Sequence, residues 1–218
     1  MNKWIIGILI MVASITESLA DRHAITDSGE SVILYNDGSW KYDSSKMDRS
    51  NKSTNPLFRG TKWGQSKKQV KQIEKSKILK DTSSALIYKL TVGGLDAILG
   101  YYFVDNKLFR AAYFFQESHS NDNLYIDDYN TIKSMLKQIY NEPSEDEEDW
   151  KNDSYKDDRD KWGFAIYMGQ LSYHTKWENS STVISLYLQK GDQGIQMGIE
   201  YFSKEHGEEA VNSLLKDF

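Results

Sequence analysis

The tetrapeptide Val92-Gly93-Gly94-Leu95 constrains this chain more than any other stretch. Two glycines between alternating apolar runs read as a two-residue hairpin loop, because glycine takes the positive φ angles of a type I′ turn without steric cost. A turn of that length sets the register of both strands it joins. It puts Val92 opposite Leu95, Leu90 opposite Ala97 and Leu86 opposite Tyr101. Asp105-Asn106 makes a second, less clean turn between Val104 and Lys107. That turn puts Phe103 opposite Leu108, Leu99 opposite Ala112 and Ala97 opposite Phe114. Residues 58–116 therefore read as one helix followed by three antiparallel strands.

The helix has a sharp start. Ser66-Lys67-Lys68-Gln69 fits a capping box, in which the Ser66 hydroxyl accepts from the Gln69 N–H and the Gln69 side chain accepts from the Ser66 N–H. Val70 and Ile73 lie three apart on one face. Lysines 67, 68, 71, 75 and 77 cover the rest, so the helix is narrow-striped and basic.

The predicted register sorts the strands into two faces. One carries Leu86, Tyr88, Leu90, Val92, Leu95, Leu99, Phe103, Leu108 and Phe114, and is expected to pack on the helix. Arg110 is its one misfit, placed opposite Tyr101 at the rim with a packed stem and a wet head. The other face carries Ile98, Tyr102, Val104, Phe109, Tyr113 and Phe115. A sheet with one wet side alternates apolar with polar. Here both sides are apolar or aromatic, so the second face is either covered by another layer or is a binding surface.

The remaining chain supports an α+β architecture. Residues 1–20 read as a signal peptide, with Lys3 as the positive start, residues 4–13 as the apolar run and Ser18-Leu19-Ala20 before the cleavage point. The run is too short for a membrane span. Residues 21–42 hold an N-terminal β-hairpin around Asn36-Asp37-Gly38, with Val32, Leu34, Trp40 and Tyr42 alternating. A lone hairpin is marginal, and the aromatic second face is one place for it to dock. Residues 43–56 are polar and read as a linker. A second helix spans 124–140 and stops at Asn141-Glu142-Pro143. Residues 145–160 hold nine acids and three bases and read as a solvated loop. A short third helix is expected at 158–169. Strands follow at 171–178, 182–190 and 194–203, and 204–218 read as a short amphipathic helix. The fold expected for 57–203 is a pair of tandem α-β-β-β units. They form one antiparallel sheet with the helices packed on one face.

That layout carries a resemblance. Trp63-Gly64-Gln65-Ser66-Lys67-Lys68-Gln69-Val70 resembles the Gly-x-Ser/Thr-x-x-Gln/Glu-Val helix start of BamE-like periplasmic modules. The doubled helix-plus-sheet layout resembles β-lactamase inhibitor protein. The chain lacks the lipid-bearing cysteine of the first and the disulfides of the second, and it adds the hairpin and the acidic segment. The resemblance implies a binding or scaffold role in the bacterial envelope, and no catalytic residue carries over.

Chemistry motifs are sparse. The chain has no cysteine, so thiol nucleophiles and cysteine metal sites are excluded. Neither is there a Gly-x-Ser-x-Gly elbow or a glycine-rich phosphate cradle. His23, His119, His174 and His206 show no metal-ligand spacing. No cofactor, metal or catalytic residue is expected. The net charge of -5 argues against nucleic-acid partners.

Two surfaces remain for binding. The first is the sheet face away from the helices, with Tyr102, Phe109, Tyr113, Phe115 and Tyr187 as contacts for a protein partner. The second is the basic helix, where Lys67, Lys68, Lys71 and Lys75 can meet an anionic surface, unless the chain's own acidic segment answers them. The expectation is a periplasmic or secreted, non-enzymatic module that binds another envelope or secreted protein, with no transmembrane segment after leader removal. The alternatives are an inhibitor or immunity protein against a secreted enzyme, and a hydrolase with a spatially assembled site.

Overall fold

The computed structural model describes residues 22–25, 31–34, 40–42 and 58–207. The leader expected at 1–20, the linker at 43–56 and the apolar positions of the tail helix beyond 207 lie outside the described residues. Residues 204–207 are helical. The chain divides into two compact units, Met1–Lys46 and Met47–Phe218.

The first unit is a three-stranded antiparallel sheet in the order β1-β2-β3 (Arg22–Ile25, Ser31–Leu34, Trp40–Tyr42). Val32 pairs with Tyr42 and Leu34 with Trp40, and the Asn36-Asp37-Gly38 turn expected between them lies outside the described residues. Strand β1 was not anticipated. It pairs Ala24 with Val32 and gives the marginal hairpin a third strand.

The second unit is built on one eight-stranded antiparallel sheet with a few helices, an α+β fold. In chain order its elements are α1 (Lys67–Ile73), β4 (Lys77–Asp81), β5 (Ala85–Val92), β6 (Leu95–Val104) and β7 (Lys107–Phe115), then α2 (Leu124–Tyr140) and β8 (Glu145–Trp150). A 3₁₀ turn at Arg159–Lys161, α3 (Trp162–Tyr167), β9 (Leu171–Glu178), β10 (Thr182–Gly191) and β11 (Gly194–Ser203) complete it. The sheet order is β4-β5-β6-β7-β11-β10-β9-β8.

Both edge strands correct the sequence reading. The acidic segment is not all loop, since Glu145–Trp150 pair with β9. Lys77–Asp81, of which the sequence reading gave Lys77 to the basic helix and left the rest unassigned, pair with β5. The physical reason is shared. All of β4 and five of the six residues of β8 are exposed, so neither shows the alternation by which a half-buried strand is recognised.

The Gly-Gly turn behaves as expected, with Gly93 at φ 59 and Gly94 at φ 85. Val92 faces Leu95, Leu90 faces Ala97 and Leu86 faces Tyr101. Asp105 and Asn106 also take positive φ, 49 and 59, and Phe103 faces Leu108. Beyond that point the predicted register fails. A β-bulge inserts Phe109 as an extra residue in β7, so Tyr102 faces Arg110, Leu99 faces Tyr113 and Ala97 faces Phe115. One added residue moves every later side chain of β7 to the opposite face. Tyr113 and Phe115 belong to the helix-covered side, whereas Phe114 and Arg110 belong to the other.

The helix-covered side is the core. Leu86, Leu99, Tyr101, Leu108, Tyr113, Ile184, Leu186, Leu188, Ile199 and Tyr201 cluster there with Val70 of α1, Tyr129, Ile132 and Leu136 of α2, and Ala165 and Ile166 of α3. Helix α1 has only seven residues and is too short to persist alone. Its capping box is formed as predicted, with the Ser66 N–H donating to Gln69 Oε1 at 2.9 Å.

Candidate functional site

The side of the sheet away from α1, α2 and α3, helix-free but for residues 204–207 beside Phe202, is built from residues the core leaves over. Reading across β6, β7, β11 and β10, one row holds Gly100, Ala112, Glu200 and Ser185, and the next holds Ile98, Phe114, Gly198 and Tyr187. Gly100, Ala112 and Gly198 are small, and a glycine inside a strand marks a close approach. Here the approach is by aromatic rings. A Cβ on Gly100 would lie 2.7 Å from Tyr102 Oη, and one on Gly198 would lie 2.6 Å from Tyr187 Cζ. Both tyrosine rings therefore lie flat along the sheet, over backbone that carries no side chain.

Arg110 ties this patch together. Its Nη2 donates to Glu200 Oε1 at 2.6 Å, and its guanidinium sits 4.8 Å from the Tyr102 ring centre. Such a cation–π contact is strengthened by partial desolvation. Phe109 packs edge-on against Phe202 with ring centres 5.6 Å apart. Burial pushes both tyrosine hydroxyls up, Tyr187 to about 12, and the Glu200 carboxylate adds to the rise at each. The phenols are neutral hydrogen-bond donors at physiological pH. The patch offers aromatic area, phenol donors and an internally balanced ion pair, a composition suited to protein recognition.

Of the five aromatic positions singled out from sequence, Tyr102, Phe109 and Tyr187 lie half-buried on this face. Tyr113 does not. It is 6% exposed and packs 5.2 Å from Phe58 in the core. Phe115 packs against the same core. Sequence reasoning missed Arg110, Phe114, Glu200 and Phe202, because the bulge that turns Arg110 and Phe114 outward leaves no local signature. The in-strand glycines Gly100 and Gly198 were the available signal.

The basic helix is answered differently from the expectation. Lys67 and Lys71 reach Asp81 at 2.9 and 2.8 Å, and Lys75 donates to the Gln72 carbonyl at 2.6 Å. The hydrogen bonds from Lys71 and Lys67 hold the Asp81 carboxyl below its usual range. Lys68 is exposed. The acidic segment is not their partner, since its strand β8 sits at the far edge of the sheet from β4.

A buried polar cluster fastens α1 to the core. The turn at Phe58–Thr61, with Arg59 at φ 48, aims the guanidinium at Glu74, whose side chain is 1% exposed. Arg59 Nε donates to Oε2 at 2.8 Å and Nη2 to Oε1 at 3.2 Å. Tyr101 Oη donates to Oε2 at 2.9 Å and the Ser76 N–H to Oε1 at 2.8 Å. Burial pushes the Glu74 carboxyl up. Those donors, Arg59 foremost, outweigh it and bring the carboxyl down to about 2. Each oxygen has two donors, so this carboxylate is saturated and serves the fold.

Among the described residues no group of three or more His, Cys, Asp or Glu can hold a metal ion. His119 pairs with Asp128 at 2.6 Å beside the Tyr125 ring, and His174 is half-buried on the helix-free face. A cavity of ≈ 160 Å³ lined by Tyr140, Glu142, Trp177 and Asn179 is smaller than sites that enclose organic ligands. Among the described residues no helix is long and apolar enough to cross a membrane. Compared with protein-family models, curated proteins and solved structures, the chain matches none.

Proposed function

We propose that this chain is an exported, non-enzymatic scaffold of two α-β units whose helix-free sheet face binds a protein partner. The single observation that carries the binding assignment is the Tyr102–Arg110–Glu200 and Tyr187 patch. Its aromatic rings lie over glycines on a face that alternation would otherwise make polar. Tyrosine and arginine are the residues most often dominant in binding energy at protein interfaces. The two-unit reading is supported by the strand order. One helix-led set contributes β4-β5-β6-β7, the other contributes β8 to β11 in mirrored order, and the two meet at β7 and β11. The export reading rests on the leader pattern of residues 1–20, and mass spectrometry of the mature protein is expected to give Asp21 as its first residue.

Site-specific photocrosslinking tests the face. A photoreactive residue at Tyr102 or Tyr187 is expected to give the same discrete crosslinked partner, and one at Ile139 on α2 is expected to give none. Tyr102→Ala with Tyr187→Ala is expected to abolish capture of that partner while costing about 1 kcal/mol of stability each. Crosslinks from Ile139 alone, or undiminished capture by the double variant, would overturn the assignment.

A further inference from the structure

The two edges of the eight-stranded sheet are opposite in charge. Among the described residues no strand pairs with the outer side of β4 or of β8. Strand β4 reads Lys-Ile-Leu-Lys-Asp and strand β8 reads Glu-Asp-Glu-Glu-Asp-Trp. The registers place the side chains. Lys77 and Lys80 face Lys89 and Ile87, so both lie on the helix-free side. Glu145, Glu147 and Asp149 face Lys176, His174 and Ser172, so they lie on that same side. Lys77, Lys80, Glu147 and Asp149 are exposed, and none makes an ion pair among the described residues.

Strand direction adds a second constraint. Every neighbouring pair in the sheet is antiparallel and the sheet has eight strands, so β4 and β8 run in opposite directions. A second copy carried along the sheet therefore presents its β4 antiparallel to β8, with its helices on the same side as the first. Cross-strand pairs of opposite charge stabilise such a joint, and like charges directly opposite destabilise it. The symmetric joint of β8 against β8 fails on that rule, since it sets five acids against five.

We propose that the protein self-associates head to tail, with β4 of one copy extending the sheet at β8 of the next and Lys77 and Lys80 meeting Glu145, Glu147 and Asp149. The contact is heterologous, so it leaves a free β4 and a free β8 at the ends and continues into short filaments or closes into a ring. Strand-to-strand contact over five or six residues is small, and the association is weak, on the order of 0.1–1 mM.

Sedimentation of the purified protein over a concentration series tests this. Association is expected to grow with concentration without stopping at a dimer, and to fall when ionic strength is raised from about 0.02 to about 0.5 M. The paired variants Lys77→Glu with Lys80→Glu, and Glu147→Lys with Asp149→Lys, are each expected to be monomeric. Mixed in equal amounts they are expected to associate again, because each then offers the edge the other lacks. All four positions are exposed, and circular dichroism checks that the variants fold. A wild-type protein that stays monomeric, a saturating dimer, association untouched by charge reversal, or a mixture that stays monomeric would each overturn the proposal.

Discussion

Replacing Glu74 by glutamine tests the reading of the polar cluster, and the structure sets the size of the effect. The Glu74 carboxyl lies at about 2, against an ordinary value of 4.5. A difference of about 2.5 units corresponds to about 3 kcal/mol of stabilisation by the ionised form, trimmed toward 2 by solvent at the 34% exposed Arg59 side chain. The sign follows from a depressed folded value. The contribution is complete above about pH 5 and is lost as pH falls through 4.5 toward 2. At pH 7, Glu74→Gln removes the charge and leaves one oxygen for four donors, so the Gln amide must point N–H groups at Arg59, Tyr101 or Ser76. The expected loss is about 3 kcal/mol, a drop of roughly 6–12 °C in melting temperature for a unit of this size. By pH 3 the wild type has itself surrendered somewhat more than half of that ionic contribution, about 1 kcal/mol, through protonation of this group in the unfolded chain. Urea unfolding of both proteins from pH 7 to pH 3 should therefore show the gap narrowing by about 1 kcal/mol. A gap that stays constant across that range would refute the argument that the carboxylate is ionised and held by its donors.

Three further outcomes follow from the geometry. Tyr113→Ala should cost about 3–5 kcal/mol in urea unfolding, since the ring is buried against Phe58, whereas Tyr102→Ala on the opposite face should cost about 1. Gly198→Ala should lose about 1–3 kcal/mol, because the new methyl meets the Tyr187 ring and the Tyr113 carbonyl at 2.8 Å, and near-ultraviolet circular dichroism should register the displaced tyrosine. Ser66→Ala should lower stability by about 1 kcal/mol through loss of the α1 cap, and Ser66→Asp should restore most of it.

The legible parts of this protein were those governed by local chemistry. The capping box at Ser66, the Gly93-Gly94 and Asp105-Asn106 turns, the paired strands β2 and β3, helix α2 and strands β9 to β11 were all predicted from residues within a few positions of each other. Turn φ angles, cap hydrogen bonds and alternation of half-buried side chains are properties of short segments, so a sequence exposes them. The candidate site was half legible for the same reason. Tyr102, Phe109 and Tyr187 alternate outward in recognisable strands.

What the tertiary structure alone decided is which partner each strand meets. The bulge at Phe109 adds one residue against β6, and that single step buries Tyr113 and Phe115 and turns Arg110 out to Glu200, ninety positions away in the chain. Nothing local records it, because the choice is made by the fit of Leu108 and Tyr113 into the core. The edges β4 and β8 escaped notice because exposure on both faces erases the burial pattern, and only hydrogen bonding to β5 and β9 makes them strands. The sign of charge along those edges was readable in the sequence. That they close opposite ends of one sheet, antiparallel and facing the same side, followed from the strand order, which no run of adjacent residues encodes.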